Sequence, residues 1–262
     1  MRTAVASVRG APGATTVALA LSLDLAGRSR QVLLIEADPA GGVLAASLGI
    51  PVSPGLVDFT AAAHHRTITD VAEHNVQQLT ASLCVLPSPS SGRQASAALE
   101  ALVPELSVLL ADTTGDVVVD VGRLLPGSPS TRLVDAADVV VLVVRPVVSE
   151  LAALVPRLRE LRDDGAECLV AVVDTPPRSP EAPATFAEVT DVLTDAARVL
   201  RLPHDPLAVH LLYADPTGHR WPRTRLATAV SQLADGLLGY EVSDDPADLV
   251  AVEPNPLAPV PS

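Results

Sequence analysis

Ser7-Val8-Arg9-Gly10-Ala11-Pro12-Gly13-Ala14-Thr15-Thr16 is the segment whose residue types and spacing most directly imply chemistry. A glycine loop that leaves a strand and enters a helix turns backbone N–H groups and a helix N-terminus toward an anion, the arrangement that receives phosphate. Gly10 and Gly13 permit close approach and unusual backbone angles, and the Thr15 hydroxyl is a candidate ligand for Mg²⁺. Such a loop ordinarily turns on a lysine, and at that position this chain has Ala14. Lysine is in fact absent throughout: all 18 basic residues are arginine.

Carboxylates accompany the loop. In Ile35-Glu36-Ala37-Asp38-Pro39-Ala40-Gly41-Gly42, Glu36 and Asp38 occupy alternate positions, so both can emerge on one face of a strand end. Asp120 stands at the carboxyl end of another apolar run, where an acidic group can hold Mg²⁺ or its water ligands. Each of these alone reads equally well as a turn cap. Together, leaving neighbouring parallel strands beside a phosphate loop, they form the expected metal and water-activating cluster: Glu36 and Asp38 for catalysis, with Thr15, Asp120 and Glu36 around the metal.

The elements that must position these groups follow from periodicity. Apolar β-type runs at 3–8, 31–37, 83–86, 117–121, 139–144 and 168–173 alternate with helical stretches at 15–26, 96–110, 148–163, 183–200 and 223–238. The alternation predicts an α/β fold, a mostly parallel sheet flanked by helices on both faces in a Rossmann-like, three-layer P-loop arrangement. Gly27 and Gly165 stand where glycine follows a helix end. Residues 51–80 are the least readable part and are expected to hold short helices under a loop. One domain over 1–240 is expected, followed by an acidic, proline-rich, disordered tail over 241–262.

Composition narrows the partners. Hydrophobic residues make up 48% of the chain and aromatics 2%, so the core must be Ala, Val and Leu. A formal charge of −13 argues against broad attraction to nucleic acid or anionic lipid. Cys84 and Cys168 are far apart and read as reduced, buried thiols. Neither a leader nor an apolar run of membrane-spanning length is apparent, which implies a cytoplasmic protein. His64, His65 and His74 lack metal-ligand spacing and read as solvated loop histidines, as do His204 and His210. The patch His219-Arg220-Trp221-Pro222-Arg223-Thr224-Arg225 reads as solvated arginines before a helix, with protein, nucleotide or nucleic-acid contact as alternatives.

In this order the motifs resemble those of the ParA/MinD family of P-loop ATPases, over residues 3–238. Arg9 to Thr16 is similar to that family's deviant loop, KGGxGKT(S/T), and Glu36 to Gly41 to its DxDPxG motif. Asp120 resembles its Walker B aspartate, and Asp135 to Val144 its Ala-Asp-plus-strand motif. Asp174 falls where the family often has an adenine-reading Asn, and Leu202-Pro203-His204-Asp205 resembles its IPxD segment. The resemblance implies ATP or ADP with Mg²⁺ as cofactor, bound by Arg9, Gly10, Gly13, Ala14, Thr15, Thr16 and Asp174, and a possible homodimer that Arg9 would reach across. It also implies protein partners. The basic amphipathic terminal helix of the membrane-binding members has no counterpart among Glu241, Asp244, Asp245, Asp248 and Glu253, so no direct membrane anchor is expected.

The departures point one way. Arg9 keeps a cation where the family has its first lysine, whereas Ala14 keeps none. Removing one stabilising donor at a transferring phosphoryl group costs on the order of 10²- to 10³-fold. Pro12 removes an N–H from the cradle, and Glu36 adds a methylene relative to Asp. A degenerate site is therefore expected, with weak or no ATP hydrolysis, in a positioning or assembly factor analogous to TadZ or CpaE. An ATP-dependent dimerising switch and a nucleotide-free interaction module are the alternatives.

Overall fold

The central strands of this chain are runs of Val, Leu and Ala with no polar alternation, which requires burial on both faces. The computed structural model describes residues 1–63, 75–112 and 115–242, and there the runs pair into one eight-stranded sheet. Its strands are β1 (Arg2–Ser7), β2 (Val32–Glu36), β3 (Gln77–Gln78), β4 (Leu83–Leu86), β5 (Asp116–Arg123), β6 (Val139–Val144), β7 (Glu167–Val173) and β8 (Arg198–Leu202). They lie in the order β3-β4-β2-β5-β1-β6-β7-β8, all parallel except the short edge strand β3.

Successive side chains of each strand feed opposite core layers. Val117, Val119 and Val121 of β5 enter one layer and Val118 the other. The first layer is closed by α3 (Leu56–Ala63), α4 (Gly92–Asp112), α5 (Thr131–Asp135), α6 (Val148–Asp163) and α7 (Phe186–Val192). The second is closed by α1 (Ala14–Gly27), α2 (Leu44–Leu48), α8 (Pro206–Ala214) and α9 (Arg225–Val242). The α/β, three-layer expectation holds. Among the described residues no helix is long and apolar enough to cross a membrane.

Polar clamps fix the outer elements. Arg28 at the end of α1 donates to Asp24 at 2.7 Å, to Asp235 of α9 at 2.6 Å and to the Ser231 hydroxyl at 2.7 Å. At the amino end of the sheet, the terminal amine (3.2 Å) and Arg30 Nη2 (2.8 Å) both bond the buried Asp116. Burial pushes that carboxyl up, but these donors outweigh it and hold it below its ordinary value.

Several elements differ from expectation. Residues 183–200 do not form one helix: Thr185 and Glu188 make a capping box for the short α7, which ends at Val192, and β8 then joins the sheet edge. Arg198 to Leu202 face solvent for much of their length, so the strand lacks an apolar signature. Helix α8 forms in a stretch to which the sequence pattern assigns no element, its N-terminus capped by Asp205, whose side chain accepts from the Ala208 N–H at 2.9 Å. Gly27 ends α1 without a left-handed turn, which falls instead at Ser29 (φ 64°), while Gly165 (φ 90°) does take that conformation after α6. Helix α9 runs to Val242, beyond the 240 boundary; residues 243–262 lie outside the described residues, as do His64, His65 and His74. Trp221 is a core residue in a short 3₁₀ turn, with Arg220, Arg223 and Arg225 exposed around it. Cys84 and Cys168 are free thiols, half-buried and buried.

Candidate functional site

The strand order reverses at β1, which leads to β2 on one side of β5 and pairs with β6 on the other; crevices open at the carboxyl ends of strands flanking such a point. The loop from Val8 to Gly13 occupies this crevice. Gly10 (φ 71°) and Gly13 (φ 103°) both take left-handed angles, so the turns that aim the loop require glycine. Helix α1 starts at once, its first turn closed by the Val17 N–H donating to the Gly13 carbonyl at 2.9 Å.

Two lobes meet at Ala11 and Gly13. The first, about 370 Å³, lies over the loop and is lined by Ser7, Gly10, Thr15, Asp38, Gly122 and Arg123 among others. The second, about 420 Å³ and mainly apolar, runs between the loop and Val173, Pro176, Pro203, His204, Val209 and Leu226. Asp174 stands at the rim of this lobe, in an ion pair with Arg201 at 2.7 Å. A pocket over a glycine loop, with charged and hydroxyl side chains in its lining and continuous with an apolar slot, suits a molecule with a phosphate end and a flat apolar end.

Asp120 is the electrostatic centre. Parallel pairing sets it opposite Val5 and Glu36, and a bulge then passes over Val121 so that Ala6 faces Gly122. The side chain is fully buried. Its Oδ1 accepts the Gly122 N–H at 3.1 Å, whereas Oδ2 is buried without a hydrogen-bond partner. Burial, then the nearby charges of Glu36 and Asp38, push its pKa up to about 7 against the pull of the Thr15 hydroxyl and the Gly122 N–H. A carboxylate oxygen left bare in the interior is costly unless a ligand completes it.

Glu36 is used differently from the sequence expectation. Its Oε1 accepts the N–H groups of Val43 (2.6 Å) and Leu44 (2.9 Å), and its Oε2 that of Ser88 (2.9 Å). Three backbone donors spread over both oxygens tie the start of α2 to the end of β4. Gly42 serves this packing: a Cβ there would collide with Glu36 and the Ser88 carbonyl. Burial pushes Glu36 up, with these three N–H groups opposing.

Asp38 reaches the first lobe. Its Oδ1 accepts the Ala40 N–H at 2.8 Å, and burial pushes its pKa up against that bond and the charge of Arg123. The carboxylate lies flat on Gly122 (φ 66°), where any Cβ would overlap it. The remaining loop residues sit as follows. Arg9 is exposed and makes no ion pair among the described residues, Ala14 is buried in the second core layer, and the Thr16 hydroxyl bonds Tyr213 at 3.1 Å.

Sequence reasoning missed Gly122, Arg123, Tyr213 and the pair Arg145–Glu150. Glu150 is buried against Gly10, and its carboxylate takes the Arg145 N–H (2.8 Å) and Nε (2.7 Å). Only Gly122 carried a signal, as a glycine two residues beyond a strand aspartate.

Does the site fit a nucleotide with Mg²⁺? The bare Oδ2 of Asp120 beside Thr15, the left-handed glycines and the two-lobed cavity fit. Among the described residues no three His, Cys, Asp or Glu side chains converge on a common metal position. Mg²⁺ takes one or two protein ligands and completes its shell with phosphate and water, a number that Thr15 and Asp120 can supply.

No protein-family model and no curated protein matches this sequence. Solved structures do match it in fold. MinD from Pyrococcus horikoshii, complexed with Mg-ADP, superposes with a TM-score of 0.75 at 20% identity, over 92% of this chain and 97% of that one. A ParA family ATPase from Chlorobium tepidum gives 0.74 at 19%, over 90% and 98%. A MinC:MinD cell division complex from Aquifex aeolicus gives 0.68 at 18%, over 91% and 95%. The chain thus has the ParA/MinD-like P-loop fold across nearly its whole described length.

Proposed function

We propose that the two-lobed cavity binds ATP or ADP with Mg²⁺, and that the protein is a ParA/MinD-like positioning or assembly factor that hydrolyses ATP weakly or not at all. The observation that carries the reading is Asp120: a fully buried carboxylate with one bare oxygen beside the Thr15 hydroxyl. Thr15 and Asp120 would hold the metal, with Glu36 fixing the loop behind them. Bound Mg²⁺ would supply charge neutralisation and polarise the phosphoryl oxygens. Asp38 is placed to orient a water at the phosphate lobe, and the apolar lobe would take the base.

Weak turnover follows from position 14. A buried methyl group there offers no charge to a transferring phosphoryl group, and the loop's own cation, Arg9, is exposed. Protein partners are supported by the neighbouring fold found as a MinC:MinD complex. Arg9, exposed and without an ion pair among the described residues, favours the switch alternative, in which it meets nucleotide across a dimer.

Thermal-shift titration with ATP and ADP, with and without Mg²⁺, tests binding; phosphate release by wild type and Ala14→Lys tests the rest. We expect a Mg²⁺-dependent rise in Tm, slow release, and a gain of at least tenfold in the variant. No shift at millimolar nucleotide would overturn the binding reading. Release that Ala14→Lys leaves unchanged would overturn the account of position 14. Dimers that form with ATP and vanish in Arg9→Ala would establish the switch.

A further inference from the structure

We propose that the phosphate charge left unneutralised at position 14 is met by Arg123, supplied from the carboxyl end of β5 instead of from the loop. This rests on the reading of the cavity as a nucleotide site. A polyphosphate entering the first lobe meets Asp38 at its wall and Asp120 beneath it, so a cation is needed there beyond the metal. Among the lobe's lining residues, Arg123 is the one cationic side chain.

Its placement is set by backbone geometry. The bulge opposite Val5 and Ala6 shifts the register so that Arg123 pairs with Ser7, the residue from which the loop departs. Gly122 turns the chain with a left-handed φ of 66° and presents the next side chain at the mouth of the lobe. There Nη2 donates to the carbonyl of Gly10 at 3.0 Å, and the positive charge also reaches Asp38. Arg123 is exposed and has no ion-pair partner among the described residues. One hydrogen bond to a neutral carbonyl leaves most of the guanidinium's donors free for a phosphate, which it can meet with two parallel N–H groups.

The other arginines near the loop are committed elsewhere or point elsewhere. Arg145 lines the apolar lobe and gives its backbone N–H, Nε and Nη2 to the buried Glu150. Arg9 lines neither lobe.

The test is isothermal titration of wild type, Arg123→Ala, Arg123→Lys and the double variant Arg123→Ala with Ala14→Lys, using Mg·ATP and, as a phosphate-free probe, adenosine. We expect Arg123→Ala to weaken Mg·ATP by about 10- to 100-fold, the range of one charge-assisted contact, with adenosine affinity and the melting temperature without ligand unchanged. Arg123→Lys should recover part of the loss, and Lys at position 14 should recover it in the double variant. Equal Mg·ATP affinity in wild type and Arg123→Ala would overturn the proposal and leave the nucleotide reading standing. Equal losses for ATP and adenosine would also overturn it, because the residue would then only support the fold. A wild-type protein that binds neither ligand would refute the nucleotide reading itself, and this proposal with it.

Discussion

Replacing Asp120 with Asn should stabilise the protein at pH 8 while removing its response to Mg²⁺. In the unfolded chain the carboxyl titrates near 3.8, and in the fold burial raises it to about 7. Below about pH 4 both states hold the proton and the group adds no pH dependence. As pH rises from there, the unfolded carboxyl ionises first, so unfolding releases a proton and stability falls; the loss is complete once the pH passes the folded value. The span from 3.8 to about 7 corresponds to roughly 4 kcal/mol. Glu36 and Asp38 are shifted in the same direction, so they add to the decline in both proteins and cancel in the comparison to first order. Asn cannot ionise, and its carbonyl can keep the Gly122 N–H. After about 1 kcal/mol for an imperfectly bonded amide, the gain at pH 8 should be roughly 2–3 kcal/mol, or about 4–12 °C in Tm for a domain of this size. Urea melts at pH 5 and pH 8 measure it, with Mg·ATP titrated by thermal shift. A variant no more stable than wild type at pH 8, or a difference that is the same at both pH values, would refute the reasoning. So would a variant that keeps the full Mg²⁺ response.

Other perturbations separate structural from chemical roles. Glu36→Gln leaves one oxygen to serve donors now spread over two, and should cost about 1–3 kcal/mol in urea melts while the Mg·ATP shift in Tm persists; loss of that shift at unchanged stability would return Glu36 to the metal. Gly122→Ala forces a left-handed φ on a side chain, worth about 1–2 kcal/mol, and drives its Cβ into Asp38, so both Tm and phosphate release should drop; unchanged values would refute the packing. Burial first, then the charge of Glu167, pushes Cys168 up to about 11, so iodoacetamide at pH 8 should label it far more slowly in folded protein than in urea, as mass spectrometry would show. Comparable labelling rates would contradict its burial.

What the sequence made legible was whatever is written locally. Strands β4 and β6 and helix α6 were readable to the residue, because continuous Val and Leu runs and a terminal glycine leave few alternatives. The half-exposed β8 was not, since an edge strand bonded to one neighbour needs only one protected face. The same limit governs the site. The glycines at 10 and 13, Thr15, Asp38 and Asp120 announce themselves by spacing and type, and the fold brings them to one crevice. Glu36 looked like a free carboxylate because its donors, Val43, Leu44 and Ser88, lie 7, 8 and 52 positions away. Arg123 and Arg145 carried no signal, because their relation to Gly10 exists only through sheet order.

That separation bears on how the absence of lysine is to be understood. A drift of composition toward arginine explains Arg9, where a cation is kept, but not Ala14, where a charge has gone. If the cavity had lost its ligand altogether, Asp120 would be a pure liability: with its carboxyl raised from 3.8 to about 7, its ionisation would withdraw roughly 4 kcal/mol from a domain whose whole margin is about 5–15 kcal/mol. Asn or Leu at that position would relieve it in a single substitution. The buried carboxylate stays, its second oxygen is left bare, Thr15 remains beside it, and a glycine keeps Asp38 flat against the strand. An emptied module has no need of these four features at once, whereas a site that binds Mg²⁺ and phosphate uses each of them. On the proposed reading the cation absent at position 14 bears on transfer more than on binding, so binding can outlast turnover.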